Sequence, residues 1–247
     1  MEKRSNILLP IAGNGTRFSS KGYSLPKPLI FIEKDNKTIL EKSLESVNYE
    51  NSNLIFIVKQ EHVDKFKINE FLKEKFGSQV ITVPVNYDTA GAVNSCLLAE
   101  KYINNDEPLI IFTPDCYFEP QFDLKKVDSN YDGLVAVFNS DNDAHSYVVI
   151  NDNGEVLKAA EKEVISSHAV GGLYYYKKGA DFVKYSKKMI EQNKKVKGEF
   201  YICPVFNFLI EDGKTIGIDK NTKHVILGTP EGLETYIKAQ GISLQKG

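Results

Sequence analysis

The chain has 247 residues, of which 42% are hydrophobic and 26% are charged, and its formal net charge at pH 7 is −2. These values are typical of a globular protein with one large α/β domain or two small ones. A charge this close to zero gives no global attraction to nucleic acid or to an anionic membrane, so neither is expected as a partner.

The first half of the chain alternates short apolar runs with helical patterns. The runs predict strands at residues 6–11, 54–58, 80–83 and 109–113. Apolar residues recur near a 3.6-residue period within 63–76 and within 90–102, which predicts helical segments between the strands. Continuous apolar strands separated by helices indicate a parallel sheet that is covered on both faces.

The second half changes to strands with short connections, followed by helices. Strands are predicted at 134–138, 146–150 and 173–176, and helices at 179–193, 203–212 and 230–239. The sequence Asn151-Asp152-Asn153-Gly154 is a strong turn signal. We find no repeat, linker or domain boundary. The pattern predicts one α/β domain over 1–247, with a Rossmann-like, mixed and mostly parallel sheet flanked by helices.

The cysteines and the lack of targeting signals bear on location. Cys96, Cys116 and Cys203 are far apart and form no CxxC pair, which favours reduced thiols over a disulfide framework. The apolar run at 7–11 is too short for a signal peptide, and no run approaches the roughly 20 residues of a membrane-spanning helix. We therefore expect a cytoplasmic protein.

The turn after the first predicted strand carries an unusual arginine. Only two of the 31 basic residues are arginine, namely Arg4 and Arg17. Arg17 follows Gly13 and Gly15, which lack Cβ atoms and let backbone N–H groups approach an anion. A guanidinium binds phosphate bidentately. The turn therefore predicts a polyphosphate site, although an ordinary strand-to-helix turn explains these residues equally well.

Two further segments carry groups suited to phosphate chemistry. Pro26 and Pro28 fix the backbone on either side of Lys27, so its ammonium is presented with reduced conformational freedom. An ordinary surface turn is the alternative interpretation of this segment. Asp115 follows the strand at 109–113, and ligands of parallel sheets bind at the carboxyl ends of strands. Because Mg²⁺ prefers carboxylate and phosphate oxygens, Asp115 is a candidate metal ligand, with a capping aspartate as the alternative.

In combination, Pro10–Phe18 and Pro26–Ile30 resemble the signature of the sugar-phosphate nucleotidyltransferases, also called nucleotide-sugar pyrophosphorylases. The resemblance implies that the glycine loop and Arg17 hold a nucleoside triphosphate and that Lys27 neutralises phosphate at the reacting centre. Thr89-Ala90-Gly91 is similar to the base-contacting segment of that family, although a helix N-cap explains it too. The implied nucleotide-binding residues are Ala12, Gly13, Asn14, Gly15, Thr16, Thr89, Ala90, Gly91 and Asp115.

Three later segments resemble the acceptor side of the same family: Glu161-Lys162, Val170–Tyr174 and Gly198–Tyr201. The resemblance implies that Glu161, Gly172 and Glu199 bind the acceptor and that Lys162 meets its phosphate. A solvated charged face is the alternative for 158–163. The polar stretch 140–145 is suited to an acceptor pocket, but a hairpin loop is the preferred interpretation.

The chain departs from the family near its end. Many members carry a second metal-binding aspartate two residues before a Gly-Thr pair, and here that place is taken by Ile226. Either Asp219 substitutes for it, or Asp115 and the triphosphate hold the ion together with waters. The departure leaves the metal number and the acceptor class open.

The resemblance implies a Mg²⁺-dependent enzyme that transfers a nucleoside monophosphate to a phosphorylated small molecule and releases pyrophosphate, with Arg17, Lys27 and Lys162 as the catalytic cations. Residues of about 1–125 would bind the nucleotide and those of about 126–247 the acceptor. A nucleotide-activated sugar for surface polysaccharide is the expected product. The alternative is a CTP-dependent cytidylyltransferase acting on phosphocholine or on a phosphorylated amino acid such as phosphoglutamine.

Two other functional classes of protein are alternatives. A nucleotide-sensing domain without activity would keep the fold, but the retention of Arg17, Lys27, Asp115 and Lys162 argues against it. A glycosyltransferase would usually show an Asp-x-Asp motif, where this chain has Asp115-Cys116-Tyr117. The oligomeric state is open, with a homo-oligomer among the options.

Overall fold

A nine-stranded mixed sheet organises residues 4–239, the part of the chain that the computed structural model describes. The strands are β1 (Ser5–Pro10), β2 (Phe31–Ile32), β3 (Lys37–Thr38), β4 (Ser52–Lys59), β5 (Val80–Val85), β6 (Leu109–Phe112), β7 (Cys116–Glu119), β8 (Gly133–Asn139), β9 (Ser146–Ile150), β10 (Val156–Glu161), β11 (His168–Tyr176), β12 (Ile216–Lys220) and β13 (Lys223–Ile226). The helices are α1 (Thr16–Ser19), α2 (Ile39–Leu44), α3 (Gln60–Phe66), α4 (Ile68–Phe76), α5 (Ala92–Leu97), α6 (Glu100–Ile103), α7 (Gly179–Glu191), α8 (Val205–Glu211) and α9 (Pro230–Ala239).

The sheet has a parallel half and a mixed half. Its main path runs β10-β9-β11-β6-β1-β4-β5, and β8 joins it by pairing with β11 and β12. Strands β6, β1, β4 and β5 are parallel, whereas β11 is antiparallel to β6, β8 and β9. This arrangement confirms the predicted fold class.

Helices cover both faces of the parallel half, which explains its continuous apolar strands. Ile7, Leu8 and Leu9 in β1 are all fully buried. Leu8 lies in one core cluster with residues of α5, α7 and α8, and Ile7 and Leu9 lie in a second cluster with residues of α2 and α4. A strand buried on both faces shows no alternation of polar and apolar residues, as predicted.

The predicted elements of the first half are all present, with breaks in the helical segments. The pattern within 63–76 forms two helices, α3 and α4, which meet at Lys67 with a φ of 52°. The pattern within 90–102 likewise forms α5 and α6. The helices predicted at 179–193, 203–212 and 230–239 correspond to α7, α8 and α9.

Two interpretations of the second half are wrong in part. The segment 158–163 is not only a charged face, because Val156–Glu161 forms β10, where Lys158 is exposed but Ala159 and Ala160 are buried. The segment 140–145 is a loop but not a hairpin, because β8 and β9 pair with opposite edges of β11. The turn predicted at Asn151–Gly154 does join the antiparallel pair β9 and β10.

The last described elements cover the start of the chain. Strand β13 pairs with β7, and α9 follows it. Phe18 of α1 shares a small core cluster with Leu227, Leu233 and Tyr236. The Tyr236 hydroxyl donates to Asp35 at 2.8 Å. Within residues 4–239, none of the helices has the length and apolarity that a membrane crossing requires.

Candidate active site

A cavity of about 560 Å³ opens at the carboxyl ends of β1 and β6. The chain leaves β1 toward β4 on one side, whereas β6 is followed on its other side by β11. Such a change of direction leaves a crevice between the two loops, where parallel sheets bind ligands. The predicted site residues that line the cavity are Ala12, Gly13, Asn14, Gly15, Thr16, Arg17, Lys27, Thr89, Gly91, Asp115 and Glu199.

The loop after β1 presents backbone and guanidinium to the cavity. Gly15 has a φ of 62°, a left-handed conformation that favours glycine, and its carbonyl accepts from Phe18 N–H at 2.9 Å. The Phe18 side chain is buried and anchors the turn, while the Arg17 side chain next to it is exposed and lines the cavity. The loop therefore sets a hydrogen-bonded backbone turn beside an exposed guanidinium.

Lys27 and Asp115 face each other across this cavity. Lys27 starts a short 3-10 turn that contains Pro28, and its Nζ lies 3.8 Å from Asp115 Oδ2. The side chain of Lys27 is 26% exposed and that of Asp115 is 45% exposed. A pair this open is solvated and adds little stability, so both charged groups stay accessible to a ligand.

Two glycines position the Asp115 backbone. Gly172 lies at a bulge in β11 with a φ of 78°, and its carbonyl accepts from Thr113 N–H at 2.9 Å. Gly228 lies so close that a Cβ there would be 2.6 Å from Asp115 Cβ, and the N–H of Leu227 donates to Asp115 O at 2.8 Å. Gly172 therefore lies behind the Asp115 loop, outside the cavity lining.

The segment Thr89–Gly91 forms the opposite wall. Gly91 has a φ of 127°, and a Cβ there would lie 2.5 Å from the backbone nitrogen of Phe200. The Phe200 N–H donates to Ala90 O at 3.0 Å, which places Ala90 behind the wall. The N-cap residue of α5 is Gly91, so the interpretation of Thr89 as the N-cap is wrong. Instead the Thr89 hydroxyl bonds to that of Ser95 at 2.6 Å.

Two charged residues at the site were missed by the sequence analysis. Lys59, at the end of β4, donates from Nζ to the side-chain carbonyl of Asn14. The Asn14 amide donates to Asp88 Oδ1 at 3.3 Å, and Lys59 Nζ lies 3.7 Å from the same oxygen. This triad ties the phosphate-type loop to the wall before α5. No sequence signal marks Lys59, which only ends an apolar strand.

Of the predicted acceptor-side residues, Glu161, Lys162 and Glu199 form a second cluster next to the cavity, whereas Gly172 does not belong to it. Burial raises the pKa of Glu161, and the nearby charge of Glu199 adds to this effect, although Ser146 donates a hydrogen bond to the carboxylate. Lys162 donates to the Tyr201 hydroxyl, which raises the pKa of its ammonium. Glu199 lines the main cavity and links it to this cluster.

Asp115 is the predicted metal ligand that the structure leaves facing the cavity. Asp219 of β12 pairs with Ala136 of β8 and lies outside the cavity lining. Burial raises the pKa of the Asp219 carboxyl. Ile226 packs against Gly232 of α9. Within residues 4–239, no group of three histidine, cysteine or carboxylate side chains is placed to hold a metal ion.

A partly buried histidine lies near Asp115. The His224 ring stacks on that of Phe138 with a centroid distance of 3.8 Å and lies parallel to Phe118 at 6.4 Å. Burial and the neighbouring His145 lower the pKa of His224 to about 4, against a smaller opposing effect of Asp115. The imidazole is therefore neutral at physiological pH.

Comparisons with known proteins agree with this fold. A family model described as nucleotidyl transferase matches residues 6–215. Among curated protein sequences, none matches the chain.

Solved structures with the same fold cover nearly the whole chain. The nucleoside-diphosphate-sugar pyrophosphorylase from Vibrio cholerae RC9 has a TM-score of 0.82 at 22% identity, covering 94% of this chain and 99% of its own. The inositol-1-phosphate CTP transferase from T. maritima has a TM-score of 0.73 at 15% identity, covering 98% and 99%. A UDP-glucose pyrophosphorylase complexed with UDP-glucose has a TM-score of 0.73 at 18% identity, covering 96% and 98%.

Proposed function

Since the chain belongs to the nucleotidyl transferase family, we propose that it transfers a nucleoside monophosphate from a nucleoside triphosphate to the phosphate of a small acceptor. The acceptor's phosphate oxygen attacks the α-phosphorus in line, and pyrophosphate leaves. The observation that carries this proposal is the single cavity lined by the glycine loop, Arg17, Lys27 and Asp115. The acceptor brings its own nucleophile, so positioning and charge neutralisation are the work left to the protein.

Each cation has a separate task in this proposal. The loop backbone and Arg17 contact the triphosphate, and Lys27 neutralises charge that develops at the reacting phosphate. Lys162 binds the phosphate of the acceptor, and Glu161 and Glu199 accept hydrogen bonds from the hydroxyl groups of the acceptor. Arg17, Lys27 and Glu199 line the same cavity, which supports this division.

The surroundings of Asp115 fit Mg²⁺ held by one protein carboxylate. The half-exposed carboxylate faces the cavity, and Mg²⁺ commonly combines one or two carboxylates with substrate phosphates and waters. When bound, the ion would neutralise negative charge on the phosphates. Lys27 lies at 3.8 Å from the same carboxylate and would share that task.

We expect a nucleotide-activated sugar for surface polysaccharide as the product. The Vibrio cholerae neighbour is a nucleoside-diphosphate-sugar pyrophosphorylase and supports a sugar phosphate as acceptor. A cytoplasmic location and assembly as a homo-oligomer stay predictions. The division into a nucleotide half of about 1–125 and an acceptor half of about 126–247 also stays a prediction.

A second candidate is a CTP-dependent cytidylyltransferase acting on a non-sugar phosphate, such as phosphocholine or phosphoglutamine. The observation that favours it is Ile226, which packs on Gly232 where many family members carry a carboxylate. The T. maritima neighbour, a CTP transferase for inositol 1-phosphate, supports CTP as the donor.

The test is pyrophosphate release measured with each of the four nucleoside triphosphates against a panel of phosphorylated acceptors. We expect Mg²⁺-dependent release with one donor and one class of acceptor. Turnover of CTP with phosphocholine or phosphoglutamine, and not with sugar 1-phosphates, would select the second candidate. Silence in every combination would favour a nucleotide-sensing domain and overturn both.

A further inference from the structure

Lys162 starts from a fixed backbone position. It follows β10 directly and has a φ of 54°, which is unusual for a residue with a side chain. Its N–H donates to His145 O at 3.0 Å. The hydrogen bond to His145 therefore fixes the backbone at Lys162. It does not fix the conformation of the long Lys162 side chain.

One aromatic side chain orders that lysine. Lys162 Nζ donates to the Tyr201 hydroxyl and lies 4.5 Å from the centroid of the same ring. A lysine side chain has a flexible four-carbon stem and loses rotamer freedom when its ammonium is fixed. The hydroxyl acceptor gives the ammonium an attractive contact in one defined orientation.

The backbone on both sides of Tyr201 is anchored by buried neighbours. Its neighbours Phe200 and Ile202 are buried, at 4% and 3% exposure. The Phe200 carbonyl accepts from Val93 N–H at 3.1 Å, and the Phe200 N–H donates to Ala90. The wall of the main cavity therefore carries Tyr201, and through it sets the place of the Lys162 ammonium.

The partner of Lys162 is neutral although carboxylates are near. The charges of Glu161 and Glu199 act on its ammonium, but within residues 4–239 Lys162 forms no ion pair with either. A carboxylate partner would neutralise the ammonium and compete with an anionic ligand. A hydroxyl partner orders the ammonium and leaves its charge in place.

We propose that Tyr201 is a positioning residue whose hydroxyl holds the Lys162 ammonium apart from Glu161 and Glu199, so that its charge meets the acceptor's phosphate. The last step rests on the proposed function. The hold on Lys162 rests on the contacts alone and is tested separately.

The chain contains a similar lysine–tyrosine contact outside the cavity, in which Asp212 also takes part: it accepts from the Tyr185 hydroxyl at 2.9 Å and lies 3.3 Å from Lys184 Nζ. Lys184 Nζ lies 3.2 Å from the Tyr185 hydroxyl and 4.5 Å from its ring centroid. Both residues belong to α7. The Tyr185→Phe variant therefore removes a hydroxyl from a lysine–tyrosine pair without touching the site.

The first test needs no substrate. Lysine labelled with ¹³C at Cε is titrated by NMR, and the resonance lost in Lys162→Met assigns Lys162. Because the Tyr201 hydroxyl is the main cause that raises the pKa of Lys162, we expect this pKa to fall in Tyr201→Phe and to stay unchanged in Tyr185→Phe. An unchanged Lys162 titration in Tyr201→Phe would overturn the proposal.

The second test uses CTP with glucose 1-phosphate and CTP with phosphocholine. We expect Tyr201→Phe to raise the KM for the acceptor about three- to tenfold, the value of one hydrogen bond, and to leave the KM for CTP unchanged. Tyr185→Phe should change neither. A merely structural role would instead lower the melting temperature and kcat and leave both KM values unchanged.

A double-mutant cycle tests whether Tyr201 acts through Lys162. In a Lys162→Ala background, Tyr201→Phe should add no further loss, whereas fully additive losses would overturn the proposal. If the wild type turns over neither acceptor, the panel of donors and acceptors described above decides the proposed function. The Lys162 titration still decides whether Tyr201 holds the lysine.

Discussion

Lys27 Nζ lies 3.8 Å from Asp115 Oδ2, and this contact joins the loop that follows β1 to the loop that follows β6. The two loops belong to adjacent parallel strands, so their ends meet at one edge of the sheet. A lysine proposed to contact phosphate and a carboxylate proposed to hold Mg²⁺ are thereby set side by side.

Replacing either cavity cation should abolish turnover in a folded protein. We expect Lys27→Ala and Arg17→Ala each to lower kcat by about a hundredfold or more, because each removes a charge aimed at phosphate. Pyrophosphate release and thermal unfolding measure the two effects. Lys21→Ala is the matched control, since its exposed ammonium pairs with Glu231 at 3.7 Å. Near-normal activity in both cavity variants would contradict the mechanism.

Asp115→Asn should weaken the binding of Mg²⁺. The amide keeps the shape of the side chain and loses the charge that binds the ion, so we expect activity to require much more Mg²⁺ or to vanish. Chelation by EDTA should silence the wild type, and added Mg²⁺ should restore it. Asp219→Asn, outside the cavity, should keep the wild-type Mg²⁺ titration. A normal titration in Asp115→Asn would rule out this carboxylate as the ligand.

Gly91→Ala should cost more stability than Gly154→Ala. Both positions have a positive φ, 127° and 80°, but an added Cβ meets Phe200 N at 2.5 Å at Gly91 and nothing within 4 Å at Gly154. Backbone strain alone costs about 1 kcal/mol, and a forced clash adds about 1–3 kcal/mol. Urea denaturation compares the two variants. Equal losses would mean that the contact with Phe200 is not tight.

Acid should destabilise the protein through His224. The folded-state pKa of about 4 lies below the ordinary 6.5, so between these values the unfolded chain binds a proton that the folded chain does not. The free energy of unfolding should therefore fall as pH drops from about 6.5 to about 4, by up to about 3 kcal/mol.

The His224→Phe variant isolates this effect. Phenylalanine preserves the stack on Phe138 and cannot take up a proton. We expect denaturation curves measured across this pH range to be flatter for the variant than for the wild type. Parallel pH profiles would show that another group causes the acid sensitivity.

Part of the fold was predictable because strands buried on both faces appear in the sequence as continuous apolar runs. Strand β1 is buried on both faces and reads as a continuous apolar run. Strand β10 has exposed Leu157 and Lys158, and the backbone of Ala159 bonds to the Asn207 side chain, 2.8 Å in each direction. A strand held by a side chain of a distant helix leaves no periodic signal.

The site divides in the same way. Arg17 and Asp115 were predictable because each follows the carboxyl end of a strand, where parallel sheets collect ligand-binding groups. The contacts of Lys59 with Asp88 and of Lys162 with Tyr201 join segments that are separate in sequence, and only the folded chain brings them together. Their roles, like those of the other site residues, await the experiments above.

The seating of Leu227 and Gly228 against Asp115 also has a consequence for how the protein is made on the ribosome. The glycine loop and Lys27 emerge early, yet the support of the Asp115 loop and the cover over Phe18 both come from the segment that ends with α9. A nascent chain that stops before residue 227 would thus contain the glycine loop, Lys27 and Asp115 without the contacts that support the Asp115 loop. The support of the Asp115 loop would then be completed late in translation, when the segment 227–239 packs against the loops that precede it.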